Sequence, residues 1–193
     1  MKKWFFLLLC PLLSWADLVE KVNDALSGIQ TLQAEVCHLH NEKASSKGTL
    51  ILKRPGKVRL SYEKPAPYFF VSDGTTCVYM DAVTEKPLYV PPERLPLSFL
   101  LGPKTDLRKH FHIKNIQTIN RQHVFDVETL DTKIRLQLIF SEKGVLDGWH
   151  MVDFEGNHVR VRLINKKTNL SLKDDLFVFK QNPRWHTTKW GRR

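Results

Sequence analysis

No apolar run in this 193-residue sequence is long enough to cross a bilayer. A spanning helix needs about 20 such residues, and the greasiest stretch, Trp4–Cys10 with Leu12 and Leu13, falls well short. Cysteine is scarce, three in the whole chain, which excludes a small scaffold stapled by many disulfides. There is no Gly-x-Ser-x-Gly elbow, no phosphate-cradling glycine loop and no His-Glu-x-x-His pair. The common hydrolase, nucleotide-binding and zinc-protease signatures are therefore missing. Acidic residues are also in the minority, 20 against 30 Lys and Arg, for a formal charge of +10. No internal repeat, low-complexity tract or linker divides the chain, and its length suits one domain with a real core.

What is present begins with a leader. Lys2 and Lys3 precede the apolar run, and Ser14-Trp15-Ala16 supplies small residues where a signal peptidase reads. That layout predicts a secretory signal peptide over residues 1–16 and a single mature domain over 17–193. Cys10 follows Leu9, whereas lipoprotein processing wants a small residue there, so Cys10 reads as part of the discarded leader. Cys37 and Cys77 remain; in an oxidising compartment they could pair, or stand as two half-buried thiols, the simpler reading. A basic balance fits nucleic acid, an anionic membrane surface or an acidic partner. Secretion argues against nucleic acid, and much of the charge alternates along strands as an ordinary wet face.

Leu18, Val22, Ala25, Leu26 and Ile29 recur at helical spacing, with Asp17 at the start and Gly28 at the stop, predicting one amphipathic helix. The period then drops to two. Strands are expected over Gln33–His40, Gly48–Arg54, Lys57–Glu63, Tyr68–Ser72, Thr76–Asp81, Ile113–Ile119, His123–Thr129, Lys133–Ser141, Leu146–Glu155 and His158–Asn165. Ile134, Leu136, Leu138 and Phe140 alternate with Lys133, Arg135 and Gln137; Val159, Val161 and Leu163 alternate with His158, Arg160 and Arg162. One wet face per hairpin predicts an antiparallel meander. Pro96 opens and Gly102 closes a short mid-chain helix whose Leu97, Leu100 and Leu101 share a face. A curved sheet with an apolar concave side must bury that side against helices, a second sheet or a ligand.

Chemistry is thin. His38 and His40, in Cys37-His38-Leu39-His40, share a strand face, but no third or fourth zinc ligand accompanies them. They read as residues of a wet face, and His110 and His112 have still less context. Asn169-Leu170-Ser171 fits a glycosylation acceptor only in a eukaryotic route, and Asp174-Asp175 reads as a turn. No metal, no cofactor and no catalytic residue is expected.

Gly48-Thr49-Leu50-Ile51-Leu52-Lys53-Arg54-Pro55-Gly56-Lys57-Val58-Arg59-Leu60-Ser61-Tyr62 resembles an early motif of the outer-membrane lipoprotein carrier family, LolA. Val71-Ser72-Asp73-Gly74 through Tyr79, the leucine-rich Pro96–Leu101, and Asp174-Asp175-Leu176-Phe177-Val178-Phe179 match further family motifs in order. The resemblance implies a mainly β fold, a single incomplete antiparallel barrel covered by an N-terminal helix and a mid-chain lid helix. It implies a non-enzymatic periplasmic carrier, a monomer that takes acylated lipoproteins from an inner-membrane ATP-driven releasing complex to an outer-membrane acceptor. It assigns the acyl-chain cavity to Leu52, Val58, Leu60, Tyr62, Leu97, Leu100 and Leu101, and the lid latch to Arg54. Val58 and Leu60 are aliphatic where the family often has aromatics, and Val78 stands where it has tryptophan.

From the residues alone, the three leucines serve equally as ordinary core, and Arg54 as a solvated turn residue beside Pro55. Three other function classes stand beside the carrier. An outer-membrane acceptor of related fold would carry a lipidated cysteine. A periplasmic sensor or regulatory module would bind a partner without shuttling it, and a lipid-modifying enzyme would need the catalytic cluster this chain lacks.

Overall fold

Ser14 caps helix α1 (Trp15–Ser27), whose first residue lies two positions before the expected start at Asp17. Its side chain accepts from the Asp17 amide at 3.3 Å while Asp17 accepts from the Ser14 amide at 3.1 Å, a reciprocal cap that satisfies two free donors. The computed structural model describes residues 14–179 apart from 42, 64–67, 82–85, 93–96 and 153–155, and leaves aside the side chains of 44, 45, 68 and 81. The first thirteen residues of the expected leader, Pro96 and the basic tail lie outside the described residues.

Eleven antiparallel strands follow: β1 (Thr31–His40), β2 (Lys43–Lys53), β3 (Lys57–Tyr62), β4 (Tyr68–Asp73), β5 (Cys77–Asp81), β6 (Pro87–Val90), β7 (Phe111–Ile119), β8 (Gln122–Thr129), β9 (Arg135–Ser141), β10 (Leu146–Val152) and β11 (His158–Thr168). They form one sheet in the order β6-β5-β4-β3-β2-β1-β11-β10-β9-β8-β7. The β1–β11 pairing joins the two meanders, and β6 and β7 remain as free edges, so the barrel is incomplete, as expected. Strand β6 was not among the expected ones. Lys133 falls in the turn before β9 with φ 57°, so the alternation there begins at Arg135.

Opposite residues in an antiparallel pair share a face, so the register gives the two sides directly. Leu52–Val58–Ser72–Cys77–Val90 form one concave row, and Leu50–Leu60–Phe70–Tyr79–Leu88 form the next. Across the seam, His38–Val161–Trp149–Leu138–Phe125–Ile116 continue the concave face. Helix α1 lays Leu18, Val19, Val22 and Leu26 into this core. The convex side is polar over β7–β11, where Asn115 and Gln137 both donate to Asp126, at 3.1 and 2.8 Å.

Two expectations about faces are corrected. His38 and His40 lie on the concave side, because His38 stands opposite buried Val161 and its ring approaches buried Tyr62 at 6.0 Å. Strands β4 and β5 have no wet face: Phe69, Val71, Val78 and Met80 form a second small core on the convex side. The C-terminal segment covers it, with Phe179 on Phe69 and Arg59 both over the Phe69 ring and donating to Leu176 O. That segment, a 3₁₀ turn at Asp174–Phe177, is tied to Lys53 and Lys57 by Asp174. Hydrogen bonds from the two ammonium groups hold the Asp174 carboxyl down to about 2. Asn169 works as a clamp at the corner, accepting from Gln30 N at 2.8 Å and donating to Gly28 O at 3.2 Å.

Gly48 lies where the backbone of β3 leaves no room for a side chain, since a Cβ there would stand 2.3 Å from Ser61 O. Gly48→Ala should therefore cost about 1–3 kcal/mol, read as a lower urea midpoint with an unchanged slope.

Candidate functional site

The segment between the free edges β6 and β7 is where the concave core closes. Where the leucine spacing predicted a mid-chain lid helix, the described residues form the 3₁₀ turn Ser98–Leu100, shorter and tighter than expected, and a second 3₁₀ turn follows at Leu107–Lys109. Leu97, Phe99, Leu100 and Leu101 are nevertheless all buried in the main core, with Phe99 edge-on to Phe111 of β7 at 5.3 Å.

Two neighbouring pieces seat this segment. The β2–β3 turn supplies the Gly56 amide, which donates to Leu101 O at 2.8 Å. The end of α1 supplies Ser27 Oγ to the Thr105 amide at 3.0 Å and Asn23 Oδ1 to the Leu107 amide at 3.0 Å. Arg54 ties the pieces together. It is 7% exposed. Its Nη1 donates to Gly102 O, and its Nη2 donates to Leu26 O at 3.2 Å and to Thr105 Oγ1 at 2.7 Å. Helix α1 has no basic residue in its last turn, so the guanidinium supplies the positive charge that the carbonyl end of a helix favours. Burial alone pushes Arg54 below the usual arginine value.

The β4–β5 turn buttresses this seat. Asp73 Oδ1 accepts from the Thr75 and Thr76 amides, and Ser72 Oγ donates to Gly56 O at 3.0 Å. Gly74 and Gly56, both with positive φ, approach so closely that a Cβ on Gly56 would meet Gly74 Cα at 2.6 Å. The Arg54-Pro55-Gly56 and Val71-Ser72-Asp73-Gly74 motifs are thus two halves of one structure.

The expected cavity residues are brought together on one wall. Leu52, Val58 and Tyr62 are buried, Leu60 is partly buried against the same core, and Leu97, Leu100 and Leu101 pack over them. Beneath Leu100, the residues Leu26, Ile29, Leu32, Leu52, Arg54, Leu100, Val145 and Leu146 leave a pocket of about 10 Å³, room for about one water. Away from the lid the wall opens. Along one concave row Leu50 is fully buried, Leu60, Phe70 and Tyr79 are half-buried, and Leu88 is 58% exposed. The sequence reading did not include Phe70, Tyr79, Leu88 or Phe99; the unbroken Phe69-Phe70-Val71 and Cys77-Val78-Tyr79-Met80 runs were the signal that both faces of β4 and β5 are used.

Cys37 and Cys77 are free thiols, and Cys77 is buried in the concave core. Among the described residues, no group of three or more His, Cys, Asp or Glu is placed to hold a metal ion, and no helix is long and apolar enough to cross a membrane.

Residues 29–180 match the family model described as outer membrane lipoprotein carrier protein LolA. An outer-membrane lipoprotein carrier protein from Legionella pneumophila (strain Paris) is 28% identical over 172 residues, covering 83% of this chain and 84% of that protein. Another, from Methylococcus capsulatus, is 28% identical over 192 residues, covering 90% and 92%. A solved structure of an uncharacterized conserved protein from Thermus thermophilus superposes with a TM-score of 0.50 at 10% identity, over 84% of this chain and 91% of that one, a likeness of fold.

Burial pushes the Cys77 thiol up to about 11, and the thiolate is the reactive form. Iodoacetamide at pH 8 should therefore leave Cys77 unmodified in the folded protein and alkylate it in urea, as read by peptide mass. Equal labelling in both conditions would place the thiol outside the core.

Proposed function

Because the chain belongs to the family of the outer membrane lipoprotein carrier protein LolA, we propose that it shields the acyl chains of lipoproteins released from the inner membrane and delivers them to the outer membrane. Residues 1–16 act as the leader that sends it to the periplasm, and 17–193 form the carrier domain. Its partners are acylated lipoproteins, the ATP-driven complex that releases them, and an outer-membrane acceptor. The chain works as a binding protein, without a catalytic step.

The observation that supports this most is the lid itself: Leu97, Phe99, Leu100 and Leu101 occupy an apolar wall yet are seated by a few polar bonds at one end. Burying four such side chains is worth about 6–12 kcal/mol at about 1.5–3 each. An acyl chain of about 16 carbons gains about 13 kcal/mol at ~0.8 per CH₂. The lid and one acyl chain of the cargo therefore compete for one wall on nearly equal terms, which favours reversible loading. Arg54 sets the balance, because its bonds to Gly102 and Thr105 exist only with the lid seated.

The protein purified from the periplasm after secretion should form a soluble one-to-one complex with a triacylated lipoprotein and none with its unacylated form. Equal binding of the two would overturn the carrier reading. Arg54→Leu should still fold and take up cargo, but hand it to acceptor membranes at least about tenfold more slowly. That rate follows because the seated lid loses two bonds of about 0.5–1.5 kcal/mol each. Handover at the normal rate would remove the latch.

A further inference from the structure

We propose that residues 180–193, together with the convex surface from which they leave, form a docking site for the anionic surface of a lipid bilayer. The inference goes beyond the carrier reading and does not depend on it. Composition is the first argument. Lys180, Arg184, Lys189, Arg192 and Arg193 put five cations into fourteen residues that hold no Asp or Glu, half of the formal charge of +10. Trp185 and Trp190 are set among them. A tail that serves only solubility needs no tryptophan, whose large ring gains by leaving water. An acidic protein would answer the charge alone. Tryptophan and cations together suit the bilayer interface, where the indole sits at headgroup level and Lys and Arg meet anionic lipid.

The place of departure is the second argument. Asp174 is held by Lys53 and Lys57, Leu176 O accepts from Arg59, and Phe179 packs on Phe69 at 6.1 Å. The chain is therefore pinned to the convex side of β3 and β4 up to the residue before Lys180. Phe177 is buried there, whereas Val178 is 47% exposed. On the same face, the convex row Arg59–Val71–Val78 ends at the sheet edge on Tyr89, which is 63% exposed. Lys173, at the head of the pinned segment, is exposed as well. An outward valine, an edge tyrosine and a free-standing lysine repeat on the folded surface the chemistry of the tail. A bilayer met on this side leaves the concave wall uncovered.

The test sediments the secreted protein, without cargo, with vesicles of phosphatidylcholine or of its equal mixture with phosphatidylglycerol. Each cation near an anionic surface strengthens binding about fivefold, so wild type should prefer the mixed vesicles at least about thirtyfold. Raising salt from about 0.1 to about 1 M should erase most of that preference. The triple variant Arg184→Gln, Lys189→Gln, Arg192→Gln should lose most of it. Lys21→Gln, Lys133→Gln, Lys143→Gln, which removes as many exposed cations from other elements, should keep most of it. Trp185→Ala with Trp190→Ala should bind the mixed vesicles about tenfold more weakly, because less apolar area enters the interface. A wild type without anionic preference overturns the inference and leaves an acidic protein as the tail's partner. Equal losses in the two triple variants also overturn it, since the attraction would then belong to the basic chain as a whole. So does a tryptophan variant that binds as wild type does. Matching thermal midpoints show that the comparison reads binding and not folding.

Discussion

A guanidinium buried among carbonyls organises this molecule. Arg54 faces Leu26 O, Gly102 O and the Thr105 hydroxyl, and among the described residues no carboxylate forms an ion pair with it. An isolated charge in the interior costs several kcal/mol unless dipoles are aimed at it, so the end of α1, the β2–β3 turn and the 97–107 segment must all be in place together. The absence of a carboxylate also matters for reversibility. Breaking a buried ion pair strands two charges, whereas carbonyls and a hydroxyl exchange their bonds for water at a net cost of about 1 kcal/mol each. Such a contact holds without a charge pair at its centre.

The same hairpin carries a second load on its other side. Lys53 and Lys57, flanking Arg54 in sequence, hold Asp174 of the C-terminal segment, while Arg59 grips Leu176 O and the Phe69 ring. The β2–β3 turn is therefore fixed from the convex side by the C-terminal segment and from its flank by Gly74. The 97–107 segment therefore rests on a seat fixed from two sides.

Much of this was legible in advance. Alternation placed ten strands within a few residues, and the switch from a 3.6-residue to a 2-residue period marked the single amphipathic helix. β6 escaped because Pro87 heads a four-residue segment at a sheet edge, where proline is tolerated. The faces of β4 and β5 escaped because a strand buried on both sides has no alternation to read. His38 was assigned to the wrong face because parity along β1 acquires meaning only from its partners, and Val161 and Tyr62 lie far away in sequence. Arg54 was singled out through its motif, but its acceptors lie 28, 48 and 51 residues away, beyond any local pattern. Leu97, Leu100 and Leu101 had the spacing of a helix, but Ser98–Leu100 makes a single 3₁₀ turn.

An unclosed barrel has a liability that a closed one escapes: two rows of backbone groups with no neighbouring strand, an invitation to another sheet. Here each edge is blunted differently. β6 is four residues long and begins with Pro87, which has no amide hydrogen to offer. β7 carries a register shift between Ile113 and Asn115, with Lys114 between them, and bulges and lysines both discourage strand addition. An open sheet is thereby made a poor template for a copy of itself.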